Sequence, residues 1–242
     1  MKYKIMTYNI AAGRTYFEYA ETKKAPVDIQ KSADFIKNES PAVCGLNEVD
    51  KLTERSGMLD EIAFYEKHLG MKGLFCKTID LQGGEYGNGF LTRFPVLESE
   101  IIDIPDVEGK SYEHRAVLRV KVDIDGKIIT FLQTHSGLSE QEKINCIDTL
   151  CDLIDSADTP VILMGDFNMS PDFPSLDKIR ERLTDTAPLL NGGEFYTYGT
   201  FEGVKKQHID YIFVSKEIKP LSLTVTDTMI SDHYPVIMEC EI

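Results

Sequence analysis

Apolar positions along the chain follow two periods, and the change from one to the other marks its elements. Val161-Ile162-Leu163-Met164 is an unbroken apolar run, which predicts a strand buried on both faces. It ends in Gly165-Asp166-Phe167-Asn168. The glycine leaves room for a close backbone approach. Asp166 and Asn168 stand two apart, so extended geometry points both the same way. One is an anionic acceptor and the other offers a donor and an acceptor, a pair suited to holding and deprotonating a water. Alone, the same pair reads more readily as a cap on a strand-to-turn junction.

The same pattern predicts strands over 3–10, 41–46, 73–79, 90–95, 98–104, 115–124, 127–134, 161–166, 208–214, 221–226 and 236–242. Val236, Met238, Cys240 and Ile242 alternate strictly in the last of these, and Asp125-Gly126 signals a hairpin. Helical spacing appears over 27–38 (Ile29, Ala33, Ile36), over 58–69 with Gly70 as its stop, and after Ser139. Ser139 and Glu142 have capping-box spacing there. The stretch 83–89 reads as a glycine-rich turn, and 169–203 as loops over one end of a sheet. No repeat, linker or low-complexity segment interrupts the chain, so one domain over 1–242 is expected.

Composition narrows the function classes. Apolar residues make up 42% of the 242, enough for a substantial core, so a disordered chain is not expected. Asp plus Glu number 40 against 26 Lys plus Arg, a formal charge of −14. A general nucleic-acid binder needs a basic footprint that this balance does not supply. An acidic excess gathered in a cleft suits a divalent cation instead. Cys44, Cys76, Cys146, Cys151 and Cys240 are odd in number and lack zinc spacing, which favours reduced thiols. With no signal-like or membrane-length apolar run, a cytoplasmic monomer is the expectation.

The candidate chemistry lies mostly at strand ends. Asn9, Glu48, His135, Asp166, Asn168 and Asp232-His233 all fall there, with Asp210 near a strand start. Each taken singly reads more readily as a turn cap, a surface carboxylate or a core histidine. Together they assemble hard oxygen ligands for Mg²⁺ or Mn²⁺ with protonated histidines suited to an anionic, phosphate-like transition state.

Seven stretches carry a resemblance in order along residues 5–240: Thr7-Tyr8-Asn9-Ile10, Asn47-Glu48-Val49, Gly87 to Pro95, Thr134-His135, Gly165-Asp166-Phe167-Asn168, Ile209-Asp210-Tyr211-Ile212 and Ser231-Asp232-His233-Tyr234-Pro235. The chain resembles the endonuclease/exonuclease/phosphatase superfamily, the deoxyribonuclease-I-like metal-dependent phosphoesterases. The resemblance implies an α/β (α+β) four-layer sandwich, with two mostly antiparallel sheets face to face and helices outside. It implies that Glu48 holds Mg²⁺ or Mn²⁺ with Asn9 and Asp232 close by or sharing it. It implies that Asp166, helped by Asn168, activates the water, and that His135 and His233 contact the non-bridging oxygens. Asp210 would orient His233 and keep it protonated. Asn47 stands where the family usually has Gln, and the loop after His135 departs from its pattern.

No carboxylate partner for His135 is evident; Glu85 is the one candidate. Arg55, Arg115 and Asn88 are candidate substrate contacts, although either arginine reads equally as an ion-pair residue. His208 is expected on the rim, and His68 and His114 as structural or solvent-facing. The leading expectation is a divalent-metal phosphoesterase acting by in-line attack on a small or lipid-derived phosphodiester or phosphomonoester. A DNA or RNA endonuclease or exonuclease is the alternative, told apart by duplex affinity. A non-catalytic binding module on the same fold is the third, against which the complete polar set speaks.

Overall fold

The computed structural model describes residues 1–17, 19–109, 113–191, 195–199, 206–226 and 228–242. In chain order its elements begin with β1 (Lys2–Asn9), α1 (Tyr19–Thr22), α2 (Ile29–Glu39), β2 (Val43–Lys51) and α3 (Glu61–Leu69). Next come β3 (Lys72–Leu81), β4 (Gly84–Thr92), β5 (Val96–Asp103), β6 (Ala116–Ile124) and β7 (Lys127–His135). Then follow α4 (Glu140–Asp155), β8 (Val161–Asp166), α5 (Leu176–Arg180), β9 (Thr184–Asp185) and α6 (Thr186–Asn191). The chain closes with β10 (Asp210–Val214), β11 (Lys219–Val225) and β12 (Val236–Glu241).

Strand alternation builds two six-stranded sheets, ordered β11-β12-β1-β2-β4-β3 and β5-β6-β7-β8-β10-β9. Ile5, Val43, Phe90, Val120, Phe131, Ile162, Met164 and Met238 face inward and fill the space between the sheets. The alternate residues face out. Met6, Tyr8, Cys44 and Leu46 pack under Ile36 of α2 and Ile62 of α3. Leu132, Val161 and Leu163 pack under Ile147 and Leu150 of α4 and Leu176 of α5. The result is the four-layer sandwich, helix–sheet–sheet–helix, with most pairs antiparallel. The exceptions are β1 with β2 and β7 with β8, both parallel. No helix among the described residues is long and apolar enough to cross a membrane. All five cysteines are free and buried.

Several local signals operate as read. Asp125 and Gly126 both have positive φ, 51° and 87°, which a two-residue turn between β6 and β7 requires. Ser139 and Glu142 close a reciprocal capping box at α4, and Gly70 ends α3 at φ 66°.

Other stretches differ. The 83–89 stretch is not a turn: from Gly84 on it is strand, paired to β2 on one side and β3 on the other. Its glycines serve close packing. A Cβ on Gly87 would lie 1.9 Å from the Cys76 carbonyl oxygen, and one on Gly89 would lie 2.5 Å from Ile62. The strand predicted over 41–46 runs on to Lys51 through an irregularity between Leu46 and Val49. The segment 169–203 is not all loop, since it carries α5, β9 and α6. Residues 192–194 and 200–203 of it lie outside the described residues.

A glycine wedged against a neighbouring strand leaves no room for a Cβ. Gly87→Ala is expected to cost about 1–3 kcal/mol, the usual scale of overpacking. A urea unfolding curve with unchanged slope reads this directly, and an unshifted midpoint would contradict the packing assigned to β4.

Candidate active site

The two parallel pairs gather three strand ends and the middle of β2 at one edge of the sandwich. Asn9 ends β1, His135 ends β7 and Asp166 ends β8, while Asn47 and Glu48 lie within β2 at its irregularity. Among the side chains that join the sheets is Asn47, fully buried. Its Nδ2 donates to the Thr134 carbonyl at 2.8 Å and to Asn88 Oδ1 at 2.9 Å. Its Oδ1 accepts from the Asp166 backbone N–H at 3.0 Å. The residue that departs from the family's usual Gln is thus the cross-brace of the site, which its sequence context does not reveal.

Asp166 depends on Gly165, whose φ is 144° and where a Cβ would lie 2.0 Å from the Thr134 carbonyl oxygen. Its partner is not placed by strand periodicity. Asn168 has left-handed backbone at φ 52°, and its N–H donates to Asp166 Oδ1 at 2.9 Å. Its Nδ2 donates to the Ser136 carbonyl at 3.0 Å. The two converge through an Asx turn, because Asn tolerates this backbone better than most residues. Burial and the nearby Asp210 charge push the Asp166 carboxyl well above the ordinary range.

Glu48 also carries left-handed backbone, at φ 56°, where β2 departs from regular pairing. This departure turns its carboxylate into the cavity while Val49 and Asp50 rejoin the ladder. Burial, and after it the Asp232 charge, raises the Glu48 carboxyl. Arg14 reaches Glu48 at 3.4 Å. Glu48 and Asp232 line the same cavity, and two carboxylates facing one space fit a hard divalent cation, which relieves the repulsion between them.

Asn9 differs from its expected role. Its Oδ1 is taken by the Ala11 N–H at 3.0 Å, so Nδ2 faces the site. That nitrogen donates to Asp166 Oδ2 at 3.0 Å and Glu48 Oε1 at 3.2 Å. An amide nitrogen has no lone pair for a metal. Asn9 instead ties the two carboxylates together.

The two histidines have opposite surroundings. His233 Nδ1 lies 2.9 Å from Asp210 Oδ2, and its Nε2 lies 3.6 Å from Asp166 Oδ2. Burial alone would lower its pKa, but Asp210 and Asp166 overcome this and raise it to about 10. Asp166, Asp210 and His233 bring ligand-type atoms within 4.8 Å of one another. With its ring protonated, however, His233 offers no lone pair to an ion; it is hydrogen-bonded to Asp210 and ion-paired with Asp166. At His135 the expectation of a protonated ring is reversed. Burial, Arg115 and His233 hold its pKa well below the ordinary value. Glu85 is not its partner, being paired with Lys51 and Lys77. Arg115 takes that place, 3.0 Å from Nδ1.

A cavity of about 450 Å³ joins these groups, lined by Glu48, Arg115, His135, Asp166, Asn168, Asp232 and His233 among others. Arg55 is elsewhere: its guanidinium is bidentate to buried Asp50, both bonds at 2.7 Å. Asn88 is buried beneath the site with its Oδ1 bonded to Asn47, which sets it apart from the cavity lining. His208 is buried and stacked on Tyr211, not on the rim. His68 and His114 are bonded to surface carboxylates. Arg14, Lys143 and Tyr198, the last with its ring tilted 57° to that of His233 at 4.8 Å, are site residues that the sequence did not signal. They come from loops and a helix turn, where no periodicity marks them.

The Endonuclease/Exonuclease/phosphatase family model matches residues 6–233. The chain belongs to this family. No curated protein matches it. Among solved structures it is similar to the endonuclease/exonuclease/phosphatase from Beutenbergia cavernae DSM 12333, at 20% identity and TM-score 0.81, covering 100% of this chain and 72% of that one. It is similar to a humanized D. rerio TDP2, at 18% identity and TM-score 0.77, over 100% of this chain and 99% of that one. A Bacteroides thetaiotaomicron mannosyl-6-phosphatase matches at 18% identity and TM-score 0.76, over 99% of this chain and 100% of that one. At these identities the likeness shows the family's fold.

If Asn47 is the cross-brace, a near-isosteric apolar residue should strand three buried partners at once. Asn47→Leu is expected to lose about 3 kcal/mol or more of stability, since each orphaned group costs roughly 1–3 kcal/mol. Thermal unfolding measures this, and a parent-like midpoint would show that the bridge carries no weight.

Proposed function

We propose that the protein is a divalent-metal-dependent phosphoesterase that hydrolyses a compact phosphodiester or phosphomonoester by in-line attack of an activated water. The observation that carries the reading is Asp166. Its carboxylate is held by Asn9 and the Asn168 N–H, beside a histidine kept protonated by Asp210, in the cavity that Glu48 also lines. Asp166 takes the proton from the water, and its raised pKa brings it nearer to the working range of a general base. Asn168 orients that water. His233 donates to a non-bridging oxygen as charge grows there, and Asp210 holds the ring in place. Glu48 and Asp232 would hold Mg²⁺ or Mn²⁺, which when bound supplies positive charge for the phosphoryl and leaving oxygens. Arg115 and Lys143 add positive charge to the cavity lining.

Activity is expected to require added Mg²⁺ or Mn²⁺ and to vanish on chelation. Glu48→Gln should need far more metal for half-maximal rate. A titration that matches the parent would remove Glu48 as a ligand.

Asp166→Asn and His233→Ala should each cut kcat by at least about a hundredfold, the scale for loss of a general base or an oxyanion donor. Asp210→Asn should behave like His233→Ala. Because the base works only when deprotonated, kcat/KM should fall as pH drops through the raised Asp166 pKa, above the ordinary carboxylate range. A rate independent of pH down to the ordinary range would refute this role.

A formal charge of −14 repels a polyanion at long range. The rate on bis(p-nitrophenyl) phosphate is therefore expected to change little with salt, and duplex DNA to bind weakly. Submicromolar duplex affinity falling steeply with salt would favour a nuclease instead.

A further inference from the structure

His135 and His233 face the same carboxylate, Asp166 Oδ2, each from 3.6 Å through Nε2. What differs is the group behind each ring. Behind His233 stands the Asp210 carboxylate, an acceptor, which requires a proton on Nδ1. Behind His135 stands the Arg115 guanidinium, with Nη1 at 3.0 Å from Nδ1. A guanidinium has donors only and stays charged in proteins. The contact is a hydrogen bond only if His135 Nδ1 presents its lone pair, and the single ring proton must then sit on Nε2, toward Asp166 and the cavity.

We propose that Arg115 is a positioning residue that locks His135 as the neutral Nε2–H tautomer, making His135 a fixed hydrogen-bond donor and not a charged group or a proton-transfer acid in the hydrolysis. The proposal rests on the phosphoesterase reading for its catalytic meaning, though the tautomer itself does not depend on it.

The surroundings support one outcome. Arg115 is 8% exposed and cannot swing away freely; its Nη2 is anchored on Glu113. The groups facing His135 are Arg115 behind it, with Glu113 beyond, and Asp166 and His233 in front. A second proton on His135 would set two N–H groups head to head beside a fixed cation, in a buried position. Asp166 is the one facing anion, and the neutral ring already offers it a proton. It also receives bonds from Asn9 and the Asn168 N–H, and it shares its charge with His233. The site thus divides its labour: His233 brings positive charge, while His135 brings direction.

The test is the protonation state of each ring nitrogen in the full chain, labelled with ¹⁵N and loaded with Mg²⁺. Long-range ¹H–¹⁵N correlation resolves the five histidine rings, with His135 assigned by its loss in His135→Gln. The expected spectrum shows bare Nδ1 and protonated Nε2 from about pH 5.5 to 8.5, a window that spans the ordinary histidine pKa. An imidazolium that titrates near the ordinary value, or a proton on Nδ1, overturns the proposal. Arg115→Met should free the ring to titrate or exchange tautomers, and Arg115→Lys, also donor-only, should keep the lock. Unchanged His135 signals in Arg115→Met would show that Arg115 is not responsible. Should that variant fail to fold, the parent and Arg115→Lys spectra still decide. On bis(p-nitrophenyl) phosphate, Arg115→Met should lower kcat roughly tenfold or more with KM nearly constant, the pattern of a contact made in the transition state, and lysine should restore most of it. A parent without turnover on any phosphate ester would refute the phosphoesterase reading and leave the ring spectra to judge the tautomer.

Discussion

The bond set of one buried amide governs how the two halves of this sandwich meet. Asn47 reaches from β2 across the inter-sheet space to the backbone of both β7 and β8. A polar side chain in that position is tolerable only because its donors and its acceptor are all engaged. The bridge lies where both parallel pairs end, so it sets the separation between Glu48 on one sheet and Asp166 on the other. Hydrophobic packing brings the sheets together but has no direction of its own. The amide supplies the register on which a reacting phosphate and a metal would depend.

Around that bridge, charge is arranged by partner choice. Four carboxylates converge, and each is handled differently. Asp210 is spent on His233, Asp166 is held by Asn9 and the Asn168 N–H, Glu48 is touched by Arg14 and Asn9, and Asp232 shares the cavity with it. Two histidines at equal distance from Asp166 acquire opposite protonation states because one is backed by a carboxylate and the other by a guanidinium. An overall charge of −14 is therefore compatible with a site that attracts a phosphate locally, since short-range pairing and not the sum of charges decides the field inside a small cavity.

Left-handed backbone, found at several turns of the fold, also occurs at this edge. Glu48, Asn168 and Gly165 all have φ in the positive range, and each aims or frees one of the groups that face the cavity. Gly165 tolerates this without a side chain, and Asn168 recovers part of the cost through its own hydrogen bonds. Glu48 has the least intrinsic tolerance of the three, which makes the irregularity in β2 a feature maintained by its surroundings.

By itself the sequence determined most of the secondary structure, the four-layer class through its motifs, and the convergence of Glu48, His135, Asp166, Asn168, Asp210, Asp232 and His233. The elements and the convergence rest on local physics, namely apolar period, capping residues and polar residues at the ends of buried strands, whereas the four-layer class rests on the family resemblance. Tertiary structure alone decided the rest. Gly87 and Gly89 read as turn residues because a glycine's local preference is the same whether it makes a turn or admits a neighbouring strand; only the Cys76 carbonyl and Ile62 distinguish the two. Asn9 carried a ligand's chemistry, and the Ala11 N–H turned its oxygen away. Arg55 and Arg115 were equivalent as residues until buried Asp50 claimed one and His135 the other. In each case a side chain's role was set by a partner distant in sequence or by the backbone's path, and neither is encoded in the residue type.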